Sequence, residues 1–305
     1  MPRISARPRR AATAPGLRRL AMSAALALSG LAGPAVASSE RLGIVERYQS
    51  APSPTLGRPL AYNVYRPAEP PADGRRWPVL YLLEGRPSES DWLDQAEVGD
   101  LIDRAVAEGV IPPMLVVMPV APFSWYVDNP DAGGEGLMKT ALTGDLVAAV
   151  DARYPTARCR EGRAVGGLSM GGYGALLFAM DRPDLFVGGM SFAGAVFPPI
   201  GRNDVMRAQR ADQFFDGAFG RPLEIGRYNG WSLFNRLKPL IGASEPKPQV
   251  YLTLGDRDRG GLLLNTARLH AEFLRVGIDS TFRVGPGAHD WDTWRAALTD
   301  GLRWL

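Results

Sequence analysis

Apolar positions along this chain fall into two kinds of run. Short, nearly continuous ones at 79–83 and 114–118 read as strands buried on both faces, as in a parallel sheet covered by helices. Residues 164–166, 188–192, 249–254 and 280–284 are further strand candidates. Ahead of them, 44–48 and 60–65 are parted by a turn containing Pro52, Pro54 and Gly57, which predicts an antiparallel pair at a sheet edge. Helical periodicity covers 94–108, 140–153, 171–180, 266–276 and 293–302. Alternating strand and helix over this length predicts an α/β fold, a doubly wound, mostly parallel sheet with an antiparallel N-terminal edge. Residues 198–248 break the rhythm. They hold no clear strand but carry Phe214, Phe215, Phe219, Tyr228, Trp231 and Phe234, an aromatic insert that either covers the sheet or shapes a pocket.

The first residues stand apart from this pattern. Arg3, Arg7, Arg9, Arg10, Arg18 and Arg19 precede an apolar run, 20–33, and then Ala35-Val-Ala37. Basic, apolar and small-residue segments in that order predict a secretory signal over residues 1–37, cut before Ser38, with Arg18-Arg19 compatible with twin-arginine export. The apolar run is too short and too rich in small residues to predict stable membrane insertion. The expected location is periplasmic or extracellular, with residues 38–305 forming a single domain.

This reading changes the charge balance. The whole chain carries a net +3, and six arginines without an acid before Ser38 leave the remainder at −3. The basicity belongs to the signal, so nothing points to nucleic acid or an anionic membrane as a partner. The single cysteine, Cys159, excludes an internal disulfide.

Candidate chemistry centres on residues 163–180, a short strand, a glycine turn and a helix. Gly167-Leu-Ser169-Met-Gly171 at the turn matches the nucleophile elbow, in which a sharp strand-to-helix turn exposes a serine hydroxyl. A tight turn with a capping serine would use the same residues, but the flanking strand and helix are the context the elbow requires. A dinucleotide loop does not fit, because no G-x-G-x-x-G can be laid over the stretch. Of the two histidines, His270 lies within a predicted helix, while His289 lies in a loop between the last strand and the last helix. His289 is therefore the candidate base, and a serine followed by a histidine near the C-terminus is the α/β-hydrolase order. The residues leave the acid open between Asp256 and Asp258. Asp290 adjoins His289 too closely to turn back onto its ring, and Asp292 is accounted for by the start of the final helix.

Taken together, 167–175, Gly255-Asp-Arg-Asp258 and the ending Gly287-Ala-His289-Asp-Trp-Asp-Thr-Trp294 resemble the esterase family of α/β-hydrolases. That family includes esterase D and S-formylglutathione hydrolases, feruloyl esterases, enterochelin esterase-like enzymes and secreted mycolyltransferases. The resemblance covers nearly all of the chain after the signal, including Ser124-Trp-Tyr-Val-Asp128, similar to the loop after the fourth strand. It implies Ser169, Asp258 and His289 as a catalytic triad and the main-chain N–H groups of Arg86 and Met170 as an oxyanion hole. The chain departs from many members at Glu84-Gly85-Arg86, where they carry His-Gly, so the contribution of Glu84 is an open question. Trp125, Tyr126 and Trp291 are candidate substrate contacts, with core packing as the competing role.

The expectation is a secreted serine esterase acting through an acyl-enzyme on a small-molecule, carbohydrate or lipid ester, without metal or organic cofactor. An acyltransferase that replaces water with an alcohol uses the same chemistry. A prolyl oligopeptidase-type peptidase would need a propeller domain for which the chain has no room. An inactive binding module on a hydrolase fold would have no use for all three triad residues.

Overall fold

The computed structural model describes residues 43–71, 74–87, 91–131, 135–242, 246–259 and 261–305. The signal expected over 1–37, and its cleavage point, lie outside them. Strands β1 (Gly43–Ala51), β2 (Leu60–Pro67), β3 (Val79–Leu83) and β4 (Leu115–Pro119) come first, followed by a two-residue hairpin of β5 (Asp128–Asn129) and β6 (Gly136–Leu137). Next come β7 (Arg163–Leu168), β8 (Gly188–Phe192), β9 (Gln249–Gly255) and β10 (Ser280–Gly285). Eight of them form one sheet in the order β1-β2-β4-β3-β7-β8-β9-β10. β2 is antiparallel to both neighbours and every pairing from β4 to β10 is parallel, as the sequence pattern predicts.

The helices are α1 (Asp91–Asp94), α2 (Val98–Ala107), α3 (Met138–Ala141), α4 (Val147–Arg153), α5 (Met170–Asp181), α6 (Val205–Asp212), α7 (Ile225–Trp231), α8 (Leu233–Arg236), α9 (Leu262–Arg275) and α10 (Trp291–Trp304). Three differ from the periodicity. The helix expected over 94–108 is broken where Glu97 takes a left-handed conformation, φ 51°. That expected over 140–153 begins at Met138 and contains a π turn, Leu142–Leu146. Within that turn Asp145 accepts hydrogen bonds from Ser53 Oγ at 2.6 Å and Thr55 N at 3.0 Å, fastening the β1–β2 connection to the helix layer. α5 buries every residue from Met170 to Met180 and not one face alone, because the sheet lies beneath it and other elements lie over it.

Burial follows position in the sheet. β3, β4, β7 and β8 are buried along their whole length, whereas the edge strands β1 and β10 are largely half-buried or exposed. Leu80 and Leu82 face a core with α2 and α10, while Tyr81 and Leu83 face the opposite core with α5. In the insert, α6 to α8 surround an aromatic cluster. Phe215 packs on Trp125 at 4.6 Å between ring centroids, on Phe219 at 5.0 Å and on Tyr228 at 5.2 Å.

Strand order reverses between β3 and β7, since the chain moves outward from β3 to β4 and then crosses back to β7. Ligand sites in open α/β sheets form at the carboxyl ends of strands at such a switch. Leu83-Glu84-Gly85-Arg86 and Leu168-Ser169 are brought side by side there by the register Leu83 to Gly167.

At the other end of β7, the Arg163 guanidinium is buried and paired with Asp151 on α4, which also accepts from Thr156 Oγ1 at 2.6 Å. Removing the carboxylate strands a buried cation, so Asp151→Ala should lower stability by about 3–5 kcal/mol. Urea unfolding followed by tryptophan fluorescence measures this, and a midpoint equal to wild type would show that the guanidinium finds solvent instead.

Candidate active site

The turn from β7 into α5 holds Ser169 at φ 50° and ψ −114°, a sparsely populated conformation for a residue with a side chain. Its main chain is pinned on both sides. Ser169 N donates to Phe192 O at the end of β8 at 3.0 Å, and Ser169 O accepts from Tyr173 N at 3.1 Å and Ala195 N at 2.8 Å. The two flanking glycines are required by close approach. A Cβ on Gly167 would stand 2.5 Å from the Gly171 carbonyl, and one on Gly171 would stand 2.7 Å from Glu84 O. Met170 opens α5, so its N–H has no acceptor within the helix and is free for a ligand.

Ser169 Oγ lies 3.0 Å from His289 Nε2, and His289 Nδ1 lies 3.0 Å and 3.2 Å from the two carboxylate oxygens of Asp258. The Asp258 side chain is 0% exposed and that of His289 13%. An ionised carboxylate can only accept, which places the proton on Nδ1 and leaves Nε2 to accept from the serine hydroxyl. Trp294 meets the imidazole edge-on, ring centroids 4.9 Å apart, and limits its rotation.

The remaining aspartates are occupied elsewhere. Asp290, and not Asp292, caps α10, accepting from Thr293 N at 3.0 Å and Oγ1 at 2.8 Å. The N–H bond from Thr293, together with its hydroxyl, holds the Asp290 carboxyl below its ordinary pKa. Asp292 lies in the first turn and pairs with Arg295 at 3.1 Å. Asp256 accepts from Gly287 N at 3.1 Å, tying the turn after β9 to the loop that carries His289. His270 bonds Ser280 Oγ at 2.8 Å beside Phe282, between α9 and β10.

Ser169 and His289 open on a cavity of about 540 Å³. Of the other candidate site residues, Arg86, Met170, Trp125 and Trp291 line it and Tyr126 does not. Trp125 and Tyr126 both have positive φ, 50° and 56°, and this double left-handed turn sends the first ring to the cavity wall and the second under α5. Tyr126 is wholly buried and its hydroxyl donates to Glu84 O at 3.0 Å. Burial, reinforced by the Glu84 charge, raises that hydroxyl well above its ordinary pKa, so it stays a donor. Glu84 itself is buried at 2% exposure below the β3 turn. Trp291 stands edge-on to Trp92 at 5.5 Å and Trp294 at 5.1 Å.

Sequence reasoning does not single out Phe197, Arg259 or Leu262, which also line the cavity, and of the aromatic residues named in the insert Phe214 lines it too. Phe214 comes from the insert, and its neighbour Asp216 pairs with the Arg86 guanidinium at 2.8 Å. That guanidinium also donates to Phe214 O and lies 5.3 Å from the Phe214 ring centre. The insert thus contributes a wall and grips the loop after β3. Among the described residues no group of three or more His, Cys, Asp or Glu side chains is placed to hold a metal ion.

A doubly wound sheet of this order with a serine elbow at its switch point defines the α/β-hydrolase fold. The family model of the esterases matches residues 53–305, and the chain belongs to that family and is by class a carboxylic ester hydrolase. It is 26% identical over 243 residues to an acetyl esterase of Caldicellulosiruptor saccharolyticus, covering 76% of this chain and 85% of that protein. It is 33% identical over 207 residues to a diacylglycerol acyltransferase/mycolyltransferase of Mycobacterium leprae, covering 62% of this chain but 58% of the relative. Among solved structures it is similar to a ferulic acid esterase, with a TM-score of 0.67, 23% identity and coverage of 86% of this chain and 97% of that one.

Tyr126 is the test of how the site is supported. A methyl group at Gly174 would come within 2.5 Å of its ring, which also meets Phe178, one turn further along α5, edge-on at 6.0 Å. Gly174→Ala should therefore cost about 1–3 kcal/mol of stability through overpacking. Tyr126→Phe, which only removes the bond to Glu84 O, should cost about 1 kcal/mol. Thermal unfolding of both variants checks the order, and Gly174→Ala as stable as wild type would contradict the packing.

Proposed function

We propose that the protein is an exported serine esterase that cleaves a carboxylic ester through an acyl-enzyme. The observation that carries this reading is the unbroken line from the buried Asp258 carboxylate through His289 to Ser169 Oγ, each step 3.0 Å, ending in an open cavity. His289 Nε2 takes the Ser169 proton as Oγ attacks the ester carbonyl, and Asp258 holds the tautomer and stabilises the imidazolium that forms. The main-chain N–H groups of Arg86 and Met170 receive the oxyanion. The imidazolium then protonates the departing alcohol, and a water molecule repeats the sequence to release the acid. In this scheme Glu84 is a supporting residue beneath the oxyanion loop.

The cavity volume suits a small-molecule ester, and its aromatic wall of Trp125, Phe197 and Phe214 suits a short or aromatic acyl group. The acyltransferase named among the relatives favours a second reading, transfer to an alcohol. Product analysis with and without a sugar acceptor separates the two.

A fluorophosphonate probe should label the wild type and fail to label Ser169→Ala; labelling that persists in the variant would overturn the nucleophile. With one p-nitrophenyl ester, Asp258→Asn should lower kcat by about 10⁴-fold, the scale known for the serine-protease aspartate. Asp256→Asn, which loses only a turn contact, should cost far less, and the reverse order would reassign the acid.

Export rests on the basic, apolar and small-residue order of residues 1–37. Mass spectrometry of protein from its native host should find a terminus at or near Ser38, and an intact Met1 or Pro2 terminus would count decisively against export.

A further inference from the structure

Trp125, Phe197, Phe214, Trp291 and Trp294 give the cavity an aromatic lining, to which the turn after β9 adds Arg259, next in sequence to the Asp258 that bonds His289, and Leu262 at the start of α9. Two arginines and no acidic residue line it among the described residues. Arg86 is already matched by Asp216 and the Phe214 carbonyl. Arg259 is not: its main-chain N–H donates to Asp258 at 2.7 Å, fixing the residue beside the buried carboxylate, while its side chain is exposed and has no ion pair among the described residues.

Nearby acids are engaged elsewhere. Asp258 serves His289, Asp256 bonds Gly287 N and lies 3.8 Å from Arg257, and Asp290 caps α10. The first turn of α9, which begins at Leu262 in that lining, carries no acidic residue, so its N–H groups add positive potential.

Direction follows from the chemistry. His289 hands its proton to the departing alcohol oxygen, so the alcohol portion leaves past the imidazole, whose aspartate Arg259 adjoins in sequence. We propose that Arg259 recognises an anionic oxygen group, a carboxylate or a phosphate monoester, on the alcohol portion of the ester. A guanidinium fork matches two such oxygens at once. This deepens the esterase reading above and rests on it. Because Arg259 is exposed, screening limits the effect to about fivefold in kcat/KM at low salt.

The test compares 4-acetoxybenzoate, its neutral methyl ester and 4-acetoxyphenyl phosphate in wild type, Arg259→Ala, Arg259→Lys and Arg259→Glu. The kcat/KM ratio of an anionic ester to the neutral one should fall about fivefold in Arg259→Ala, mainly through KM. It should recover in part in Arg259→Lys and fall further in Arg259→Glu, and salt near 0.5 M should erase the wild-type preference. The anion whose ratio depends more strongly on Arg259 identifies the group. Ratios that stay equal across all four proteins, with the methyl ester still cleaved, would overturn the proposal alone. A wild type that cleaves none of the three would overturn the hydrolytic reading, and the proposal with it.

Discussion

The close approach of α5 to the carboxyl ends of β3 and β7 is the constraint from which the rest of the site follows. A Cβ on Gly171 would run into main-chain atoms of Leu83 and Glu84, so the helix seats against the loop after β3 only because that position is bare. The same approach forces Ser169 into positive φ, and three main-chain hydrogen bonds hold it there. Strain of this sort, on the order of 1–3 kcal/mol, persists only where the surroundings over-determine it. Here they do, because α5 is buried on every side and cannot back away.

Around that point the walls come from parts of the chain that do not share a core layer. The loop after β3 is held from below by the Tyr126 hydroxyl on Glu84 O and from above by the Arg86 pairing with Asp216. The first contact reaches from the loop after β4, the second from the insert. His289 is located in a similar two-sided way, by Asp258 behind and Trp294 alongside, while Asp256 ties their two loops together. Arg86 and His289 therefore sit on loops but are held by side chains from other parts of the chain, whereas Ser169 is held by main-chain bonds, and the site acquires definite geometry from both.

Much of this architecture was legible before any coordinates. Continuous apolar runs marked the central strands because both of their faces are covered, and the glycine spacing marked the elbow because no other residue fits there. Ser169 and His289 stood out from residue type and chain order, and Asp258 followed from resemblance to the family. Less was visible wherever neighbours distant in sequence override local pattern. The all-round burial of α5 cannot be read from an amphipathic stripe, and the break at Glu97 and the π turn at Leu142–Leu146 leave no mark in the periodicity.

The aromatic residues show the division most sharply. Trp125 and Tyr126 are adjacent and alike in composition, yet one lines the cavity and the other supports α5 from beneath, a difference set by two consecutive left-handed residues. Which of the arginines meet a carboxylate is likewise undetermined by sequence, since Arg86 and Arg259 differ only in whether the folded chain brings an aspartate to them. The sequence by itself determined the sheet, the elbow and which serine and histidine stand out as candidates, because these depend on local periodicity, residue type and steric demands at single positions. Only the tertiary structure decided the cavity wall and the partner of each charge, because those depend on distances between loops that the chain order does not encode.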